Sequence, residues 1–348
     1  LDNRIINELY YDVIIIGAGP AGISAALTCQ RNGLKVIVIT RKATNRDVKE
    51  SVCYSLHPGV EVLFSRLGII SVLNKSTISR YSKIVVNGKS NTLGNRNEKW
   101  SGFHVCRSKF YNELQRCLEL HSIPLYKKSL KRSDIIITED SVSICLSKSS
   151  HLNATYCLDC SGKSRILSHQ SSFHSMYYSV PLYCWSGTQR NRSINDRFDS
   201  RGRLSIDGSF ITWQAQHSRG IDTYLRITKC KDLLKHDINQ GKYFGIELDS
   251  VYNVTWRLLR PTVGKNYMFA GDAAALIDPG AGQGVMNAMI TGSVAAKHLY
   301  LCMQQHSQAE LYKFEYDRWL MNYFESKVEI LQREYLNLGF NVTMPVYA

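Results

Sequence analysis

The sequence predicts an α/β (α+β) fold, and three observations carry the prediction. A β-branched run, Asp12–Ile16, ends in a Gly-x-Gly-x-x-Gly turn and leads through a helical pattern to a second apolar run, Lys35–Ile39. The middle of the chain changes to short, aromatic, β-leaning segments. From Val285 onward an apolar face recurs at helical spacing. Together these describe a Rossmann-like dinucleotide-binding unit with β-rich structure set into it and helices at its C-terminal end.

The first run is continuously apolar, as befits a parallel strand buried on both faces. It meets Gly17-Ala18-Gly19-Pro20-Ala21-Gly22. Gly17 permits the tight turn, Gly19 lets a pyrophosphate approach the backbone, and Gly22 lets the helix pack on the strand. The helix N-terminus presents free N–H groups and a positive dipole end to the phosphates. Ile23, Ala26, Leu27 and Gln30 fall on successive turns, and Asn32-Gly33 stops the helix. After the second strand an acid is expected to take the ribose hydroxyls, but the chain has Thr40-Arg41-Lys42. Thr40 offers a neutral hydrogen bond and Arg41 suits a phosphate, so this motif alone leaves FAD and NADP both open.

Composition sets bounds. The 348 residues are 44% hydrophobic and 21% charged, enough for a large core and against wholesale disorder. The net charge of +14 suggests a polyanionic cofactor, nucleic acid, an acidic protein or a membrane surface without choosing among them. No apolar run reaches about 18 residues, so no membrane span is expected. Leu1-Asp2-Asn3-Arg4 lacks the basic-then-apolar pattern of a leader, and a cytoplasmic location is expected. Ten scattered cysteines read as reduced thiols; Cys157 and Cys160 form a lone Cys-x-x-Cys, so no metal site is expected.

Further on, Tyr267–Ala270 reads as a strand running into Gly271-Asp272-Ala273-Ala274, followed by Asp278-Pro279-Gly280-Ala281-Gly282-Gln283-Gly284-Val285 at a helix start. Ala288, Met289, Gly292, Ala295, Ala296 and Leu299 continue that helix face. This pair of signatures resembles the second FAD motif of aromatic-ring flavin monooxygenases and flavin-dependent halogenases. The resemblance implies that Asp272 bonds the ribityl chain or pyrophosphate and that the Gly280–Gly284 turn lies against the flavin ring. A helix N-terminus there would favour the anionic reduced flavin. Trp100–Arg107, before a helix capped by Ser108 with Phe110, Leu114, Cys117 and Leu118 inward, is similar to another element of these enzymes, whose Arg (here Arg107) contacts the cofactor. Leu158–Arg165 stands where hydroxylases carry Asp-Gly; Ser161 precedes Gly162 instead, which is closer to the halogenase form. The implied FAD-binding set is Gly17, Gly19, Pro20, Ala21, Gly22, Thr40, Arg41, Arg107, Gly271, Asp272, Pro279, Gly280, Gly282, Gln283, Gly284 and Val285.

Lys83–Gly94 reads as a hairpin around Asn87-Gly88, and 175–187, 208–216 and 222–228 are aromatic and β-leaning. The resemblance implies a mostly antiparallel sheet roofing the flavin. The expected division is 1–60, 100–167 and 256–305 for the FAD-binding domain, 61–99 and 168–255 for the β-rich substrate domain, and 306–348 for a helical segment. Tyr183, Trp185 and Trp213 are the expected substrate-pocket aromatics.

The implied reaction is hydroxylation of an aromatic ring by the C4a-hydroperoxide that reduced flavin forms with O2. Electrons would come from NAD(P)H or a separate flavin reductase, and no separate NADPH domain is expected within these 348 residues. No protein nucleophile is required, and His57, His104 and His217 are unranked as bases. The halogenase Trp-x-Trp-x-Ile-Pro element has only Ile211-Thr212-Trp213-Gln214-Ala215 to match it, and Lys75 and Lys83 read as surface lysines, so hydroxylation is favoured. Within the superfamily the chain is most similar to flavoproteins that hydroxylate a tryptophan in a quinone-cofactor oxidase precursor, during tryptophylquinone biogenesis. The basic stretches Lys127–Arg132 and Arg190–Arg203 would suit such a protein substrate. A halogenase, an isoprenoid-type flavin reductase and a non-catalytic basic binding partner are the rival readings. Nucleic-acid binding is not expected, since no basic and aromatic residues interleave suitably.

Overall fold

A computed structural model describes residues 9–42, 53–94, 100–147, 150–170, 174–190, 199–218, 221–240, 246–277, 280 and 282–344. At its centre lies a parallel sheet. Leu9–Ile16 pairs with Val36–Thr40 on one side and Ser150–Asp159 on the other. Leu125–Lys127 continues the sheet beyond Val36–Thr40, and Tyr267–Phe269 beyond Ser150–Asp159. Val13, Ile14, Ile15 and Val38 are fully buried, as runs covered on both faces must be. The antiparallel strands Val142–Ser147 and Ile135–Ile137 close one edge.

The register matters for function. Ile16 sits opposite both Ile39 and Asp159, and Asp159 sits opposite Phe269. Four strands therefore end at one level, and the residues that leave them (Gly17, Thr40, Cys160 and Ala270) line the carboxyl edge. Backbone bonds seal that edge: Gly17 N–H to Ile39 O (2.7 Å), Cys160 N–H to Ile16 O (2.8 Å) and Ala270 N–H to Asp159 O (3.0 Å). Open α/β sheets bind ligands along this edge.

Helix Pro20–Arg31 crosses helix Gly284–Gln304 at very close range. A Cβ at Gly292 would lie 2.2 Å from Ala21 O and 2.6 Å from Ser24 Oγ, so the crossing requires glycine there. Ser24 Oγ also donates to Met289 O at 2.9 Å. The long helix Ala309–Asn337 packs over Gly284–Gln304, and its Tyr316 hydroxyl donates to Phe269 O at 2.6 Å.

A second seven-stranded sheet has the order Glu247–Asn253, Tyr183–Arg190, Ile221–Thr228, Phe210–Ser218, Gly202–Ile206, Lys83–Val86, Lys89–Thr92. Every pairing in it is antiparallel except that of Gly202–Ile206 with Lys83–Val86. Its hairpin turns at Asn87 and Gly88, both at positive φ (44° and 83°), the primed-turn backbone that suits strand twist. One face, with Cys184, Ile227 and Ile211, joins the main core. The other face, with Trp185 and Tyr224, is covered by helix Lys231–Gln240 through Leu234. The fold is thus a Rossmann-like body with an inserted, mostly antiparallel sheet and C-terminal helices.

Two local expectations change. Ser108 does not cap its helix: strand Gly102–Cys106 runs straight into helix Arg107–Leu120, so Cys106 holds the cap position and Ser108 is buried in the first turn. The stretch 61–99 is not all β, because it begins with the short helices Val60–Arg66 and Ile70–Ser76.

Candidate FAD site

The nucleotide turn has the shape its glycines predict. Gly17 is at φ +112°, and a Cβ there would strike Cys160 O at 2.3 Å, so Gly17 closes the turn against the neighbouring strand. A Cβ at Gly22 would lie 1.8 Å from Gly17 O. Gly19 differs: nothing lies within 4 Å of its would-be Cβ. That open face is where a pyrophosphate can reach the backbone. Pro20 occupies the first helical position, where its missing N–H costs nothing, and no acid stands in the first turn to compete with a phosphate. Thr40, half-buried, ends its strand beside Gly17, and Arg41 follows it, exposed.

The second motif packs directly on the first. Gly271 is at φ +62°, with a would-be Cβ 2.8 Å from Ala21 Cβ, and its N–H donates to Thr291 Oγ1 at 2.9 Å. Asp272 follows on a single 3-10 turn and lines a cleft with Gly284, Asn287, Ala288 and Tyr323. Burial pushes the Asp272 carboxyl up, while the charges of Arg257 and Lys163 pull it back down. Lys163 belongs to the turn Gly162–Ser164, which packs on Gly271–Ala273. Arg107 lies 5.6 Å from the Tyr54 ring centroid, and Tyr54 meets Tyr111 edge-on at 6.3 Å. The Tyr111 hydroxyl is pushed well up by Tyr54 and by burial, and it lies within the electrostatic reach of both Arg107 and Asp272.

Of the third glycine turn, Pro279 lies outside the described residues. Gly280 is buried, and Gly282 is at φ +64° with a would-be Cβ 3.1 Å from Ser55 O. Gly282 O accepts the His57 N–H at 3.3 Å. Gln283 is the cap residue of helix Gly284–Gln304 and accepts a hydrogen bond from Lys327 Nζ at 3.3 Å. The Gly284 face is open and Val285 is half-buried. This helix N-terminus thus carries its own dipole, unshielded by any acid in the first turn, together with the Lys327 charge.

The pocket aromatics divide. Trp213 faces inward, and its indole N–H donates to Ser55 Oγ at 3.0 Å, next to the Gly282 turn. Trp185 and Tyr183 do not face the site; they sit on the other face of the sheet, under helix Lys231–Gln240. Trp185 is 2% exposed and its indole N–H donates to Asp237 Oδ2 at 2.7 Å. These two are corrected from pocket residues to core residues. Strand alternation puts residues 183 and 185 together, and the neighbouring Cys184 points to the body.

Hydrogen-bond polarity ranks the histidines. Ser200 O can only accept, so His104 Nε2 carries its proton to it (2.8 Å), and Nδ1 accepts from Ser55 Oγ at 3.0 Å. Burial holds His104 down at about 4, so it is neutral and fully committed. His217 is held well below the usual histidine range by burial and then by the neighbouring His104, with Nε2 on Thr223 Oγ1. His57 Nδ1 accepts the Gly59 N–H at 3.0 Å, which leaves the ring proton on Nε2. Burial and Lys327 lower its pKa. Of the three, His57 is the one tied to the Gly280–Gly284 turn. Lys75 makes an exposed ion pair with Glu113 at 3.2 Å, as a surface lysine does. Sequence reasoning missed Ser55, Tyr54, Tyr111, Arg257 and Tyr323, which come from non-local segments and carry no spacing signal.

With open faces over Gly19 and Gly284 and an acid between them, the residues fit FAD. Comparison with known proteins agrees. Residues 12–48 match the FAD binding domain family. Thioredoxin reductase of Ureaplasma parvum is 34% identical over 79 residues, spanning 21% of this chain and only 26% of that protein. Digeranylgeranylglycerophospholipid reductase of Picrophilus torridus is 24% identical over 92% of this chain and 85% of its own length. Among solved structures, the flavin-dependent brominase Bmp2 superposes with a TM-score of 0.73 at 17% identity, over 89% of this chain and 83% of its own. The peptidyl tryptophan dihydroxylase QhpG, essential for tryptophylquinone cofactor biogenesis, gives 0.73 at 15% identity, over 94% and 75%. The nucleotide motif is thus that of an FAD binding domain, and the fold is the one seen in solved flavin-dependent halogenases and a tryptophan dihydroxylase.

Proposed function

We propose that the chain is an FAD-dependent monooxygenase that hydroxylates an aromatic ring, with a tryptophan side chain of a partner oxidase precursor as its substrate. The observation that carries this reading is the inward face of the antiparallel sheet. Trp213 is held by Ser55 directly beside the Gly282 turn, so a rigid aromatic wall stands where an aromatic ring would lie against the cofactor. The likeness to the tryptophan dihydroxylase over 94% of the chain supports the same reading. A protein substrate also suits the +14 charge, most of which no small cofactor needs.

Bound FAD, once reduced, supplies two electrons to O2, so that one oxygen atom enters the ring and the other leaves as water. The protein's share is positioning and electrostatics. Gly19 and the helix behind it would hold the pyrophosphate, and Asp272 would accept from the ribityl chain. The Gly284–Gln304 N-terminus with Lys327 favours negative charge on the ring system. His57, neutral with its proton on Nε2, can donate a hydrogen bond to an oxygen at the site.

The test is to reduce the FAD-loaded protein, admit air with candidate precursor peptides, and weigh the products. A tryptophan one oxygen heavier, with matching O2 consumption, is the expected result. A halogenated ring in the presence of bromide would instead favour the brominase-like chemistry. Saturation of an isoprenoid double bond without O2 uptake would favour the reductase reading, which the Picrophilus torridus relative supports.

A further inference from the structure

Arg257 is 7% exposed, yet its Nε and Nη2 make no hydrogen bond. Buried N–H donors left without a hydrogen bond are unfavourable, and such a group in a native fold calls for an explanation. Nε–H and Nη2–H share one edge of the guanidinium, the edge that grips an oxyanion with two parallel hydrogen bonds.

The surroundings are basic. In the small sheet Ser175–Tyr178, Arg257–Arg260, Ala275–Leu276, Arg257 stands in register between Tyr178 and Leu276. Leu259 N–H donates to Ala274 O at 2.8 Å, which fastens this strand to the end of the Gly-Asp-Ala-Ala segment. Lys163 approaches from the turn packed on Gly271–Ala273, with Nζ 3.2 Å from Asn253 O and 4.4 Å from the Tyr252 ring centroid. Arg165, from the same turn, lies within the field of Arg257. Among the described residues, two carboxylates stand against these three cations. Asp272 balances one charge. Asp159 is within range of Arg165, but its oxygens already accept the Ser161 and Leu167 N–H groups, both at 2.9 Å. Among the described residues one positive charge is left over beside the unused donors of Arg257.

We propose that Arg257, with Lys163 and Arg165 beside it, forms an anion subsite for a phosphate or diphosphate group next to Asp272. Two sources share that chemistry: the diphosphate of FAD itself, and a phosphate on a second molecule such as a reducing nucleotide or the substrate. Only the first source rests on the flavin reading.

The experiment compares the native protein with Arg257→Gln, Arg257→Lys and Lys163→Gln. Flavin fluorescence gives Kd for FAD and for riboflavin, which lacks phosphate. Thermal shift of the FAD-loaded protein with inorganic pyrophosphate reads a second phosphate. If the subsite holds the FAD diphosphate, Arg257→Gln weakens FAD roughly 10–100-fold, the loss of charge-assisted hydrogen bonds, and leaves riboflavin unchanged. If it holds a separate phosphate, FAD binding is unchanged, and the pyrophosphate-dependent rise in Tm disappears in Arg257→Gln and partly returns in Arg257→Lys. Lys163→Gln, at a more exposed position, moves the same readout in the same direction if Arg257→Gln does not fold. The proposal is overturned if Arg257→Gln keeps both affinities and melts at a higher temperature, as removal of an unused buried charge would make it do. Failure of the native protein to bind FAD would instead strike the flavin reading, and the pyrophosphate arm would still test this site.

Discussion

Gly19 caps helix Pro20–Arg31, and Gly292 of helix Gly284–Gln304 packs against the first turns of that helix; exchanging each for alanine separates cofactor binding from folding. At Gly19 the backbone is extended (φ −84°, ψ −176°), a conformation alanine adopts freely, and its Cβ meets nothing within 4 Å. Two small effects oppose each other in the apoprotein. Alanine is a poorer cap than glycine, and it lowers the entropy of the unfolded chain; each is worth about 1 kcal/mol or less. Gly19→Ala is therefore expected to leave the apoprotein Tm within about 2 °C of native. The new methyl does project into the space a pyrophosphate must enter. Pushing the phosphate off the helix N-terminus costs about 1.5–3 kcal/mol of charge-assisted hydrogen bonding, or roughly a 10–100-fold rise in Kd for FAD. Gly292→Ala reverses the pattern. Its Cβ would lie 2.2 Å from Ala21 O, more than 1 Å inside ordinary contact, and both partners are on rigid helices. Overpacking of this kind costs about 1–3 kcal/mol, a fall in Tm of about 2–6 °C for a chain this size. Differential scanning fluorimetry of the apoproteins and flavin fluorescence titration read the two effects. Native FAD affinity in Gly19→Ala would refute the placement of the pyrophosphate, and a native Tm in Gly292→Ala would refute the helix crossing.

Two further outcomes are expected. His104 has a folded pKa of about 4 against an unfolded value of about 6.5, so the unfolded chain takes up the proton first as the pH falls. Stability is therefore full above about pH 6.5 and declines towards pH 4, by about 3 kcal/mol at most; urea midpoints across this range should fall less steeply in His104→Gln, and equal slopes would contradict the burial argument. Asp237 pairs with Arg226 at 2.8 Å where both side chains are under 10% exposed, and it also accepts the Trp185 indole N–H. Asp237→Ala strands a buried guanidinium and should cost about 3–5 kcal/mol in urea unfolding while leaving Kd for FAD unchanged, whereas a changed Kd would return Trp185 to the cofactor side of the sheet.

What could be read from the sequence is what local chain geometry dictates. The strand, glycine turn and helix at 12–31 are one contiguous unit, and Gly17, Gly271 and Gly282 stand where positive φ is required. Parallel pairing then brings Gly17, Thr40, Cys160 and Ala270 to one edge; the crossover helix Pro20–Arg31 accounts for the first two, while the other two strands arrive from distant segments. Alternation in the roof is equally local: residues 183 and 185 must share a face. Which face meets the cofactor is not local. It depends on where Lys231–Gln240 returns to pack, and that helix covers the Trp185 side. Arg257 is the sharper case. In Trp256-Arg257-Leu258-Leu259-Arg260 an arginine between apolar residues reads as the solvent face of an edge strand. It is buried because Ser175–Tyr178 and Ala275–Leu276 flank it on both sides and the turn of Lys163 and Arg165 lies close to it. The cofactor cradle was legible because each of its parts is a short backbone device, while charge excess beside Asp272 exists only once distant segments converge. Specificity determinants are assembled in that second way. Arg257 is therefore a residue whose place near Asp272 shows only in the fold, where the two charges come within reach of each other.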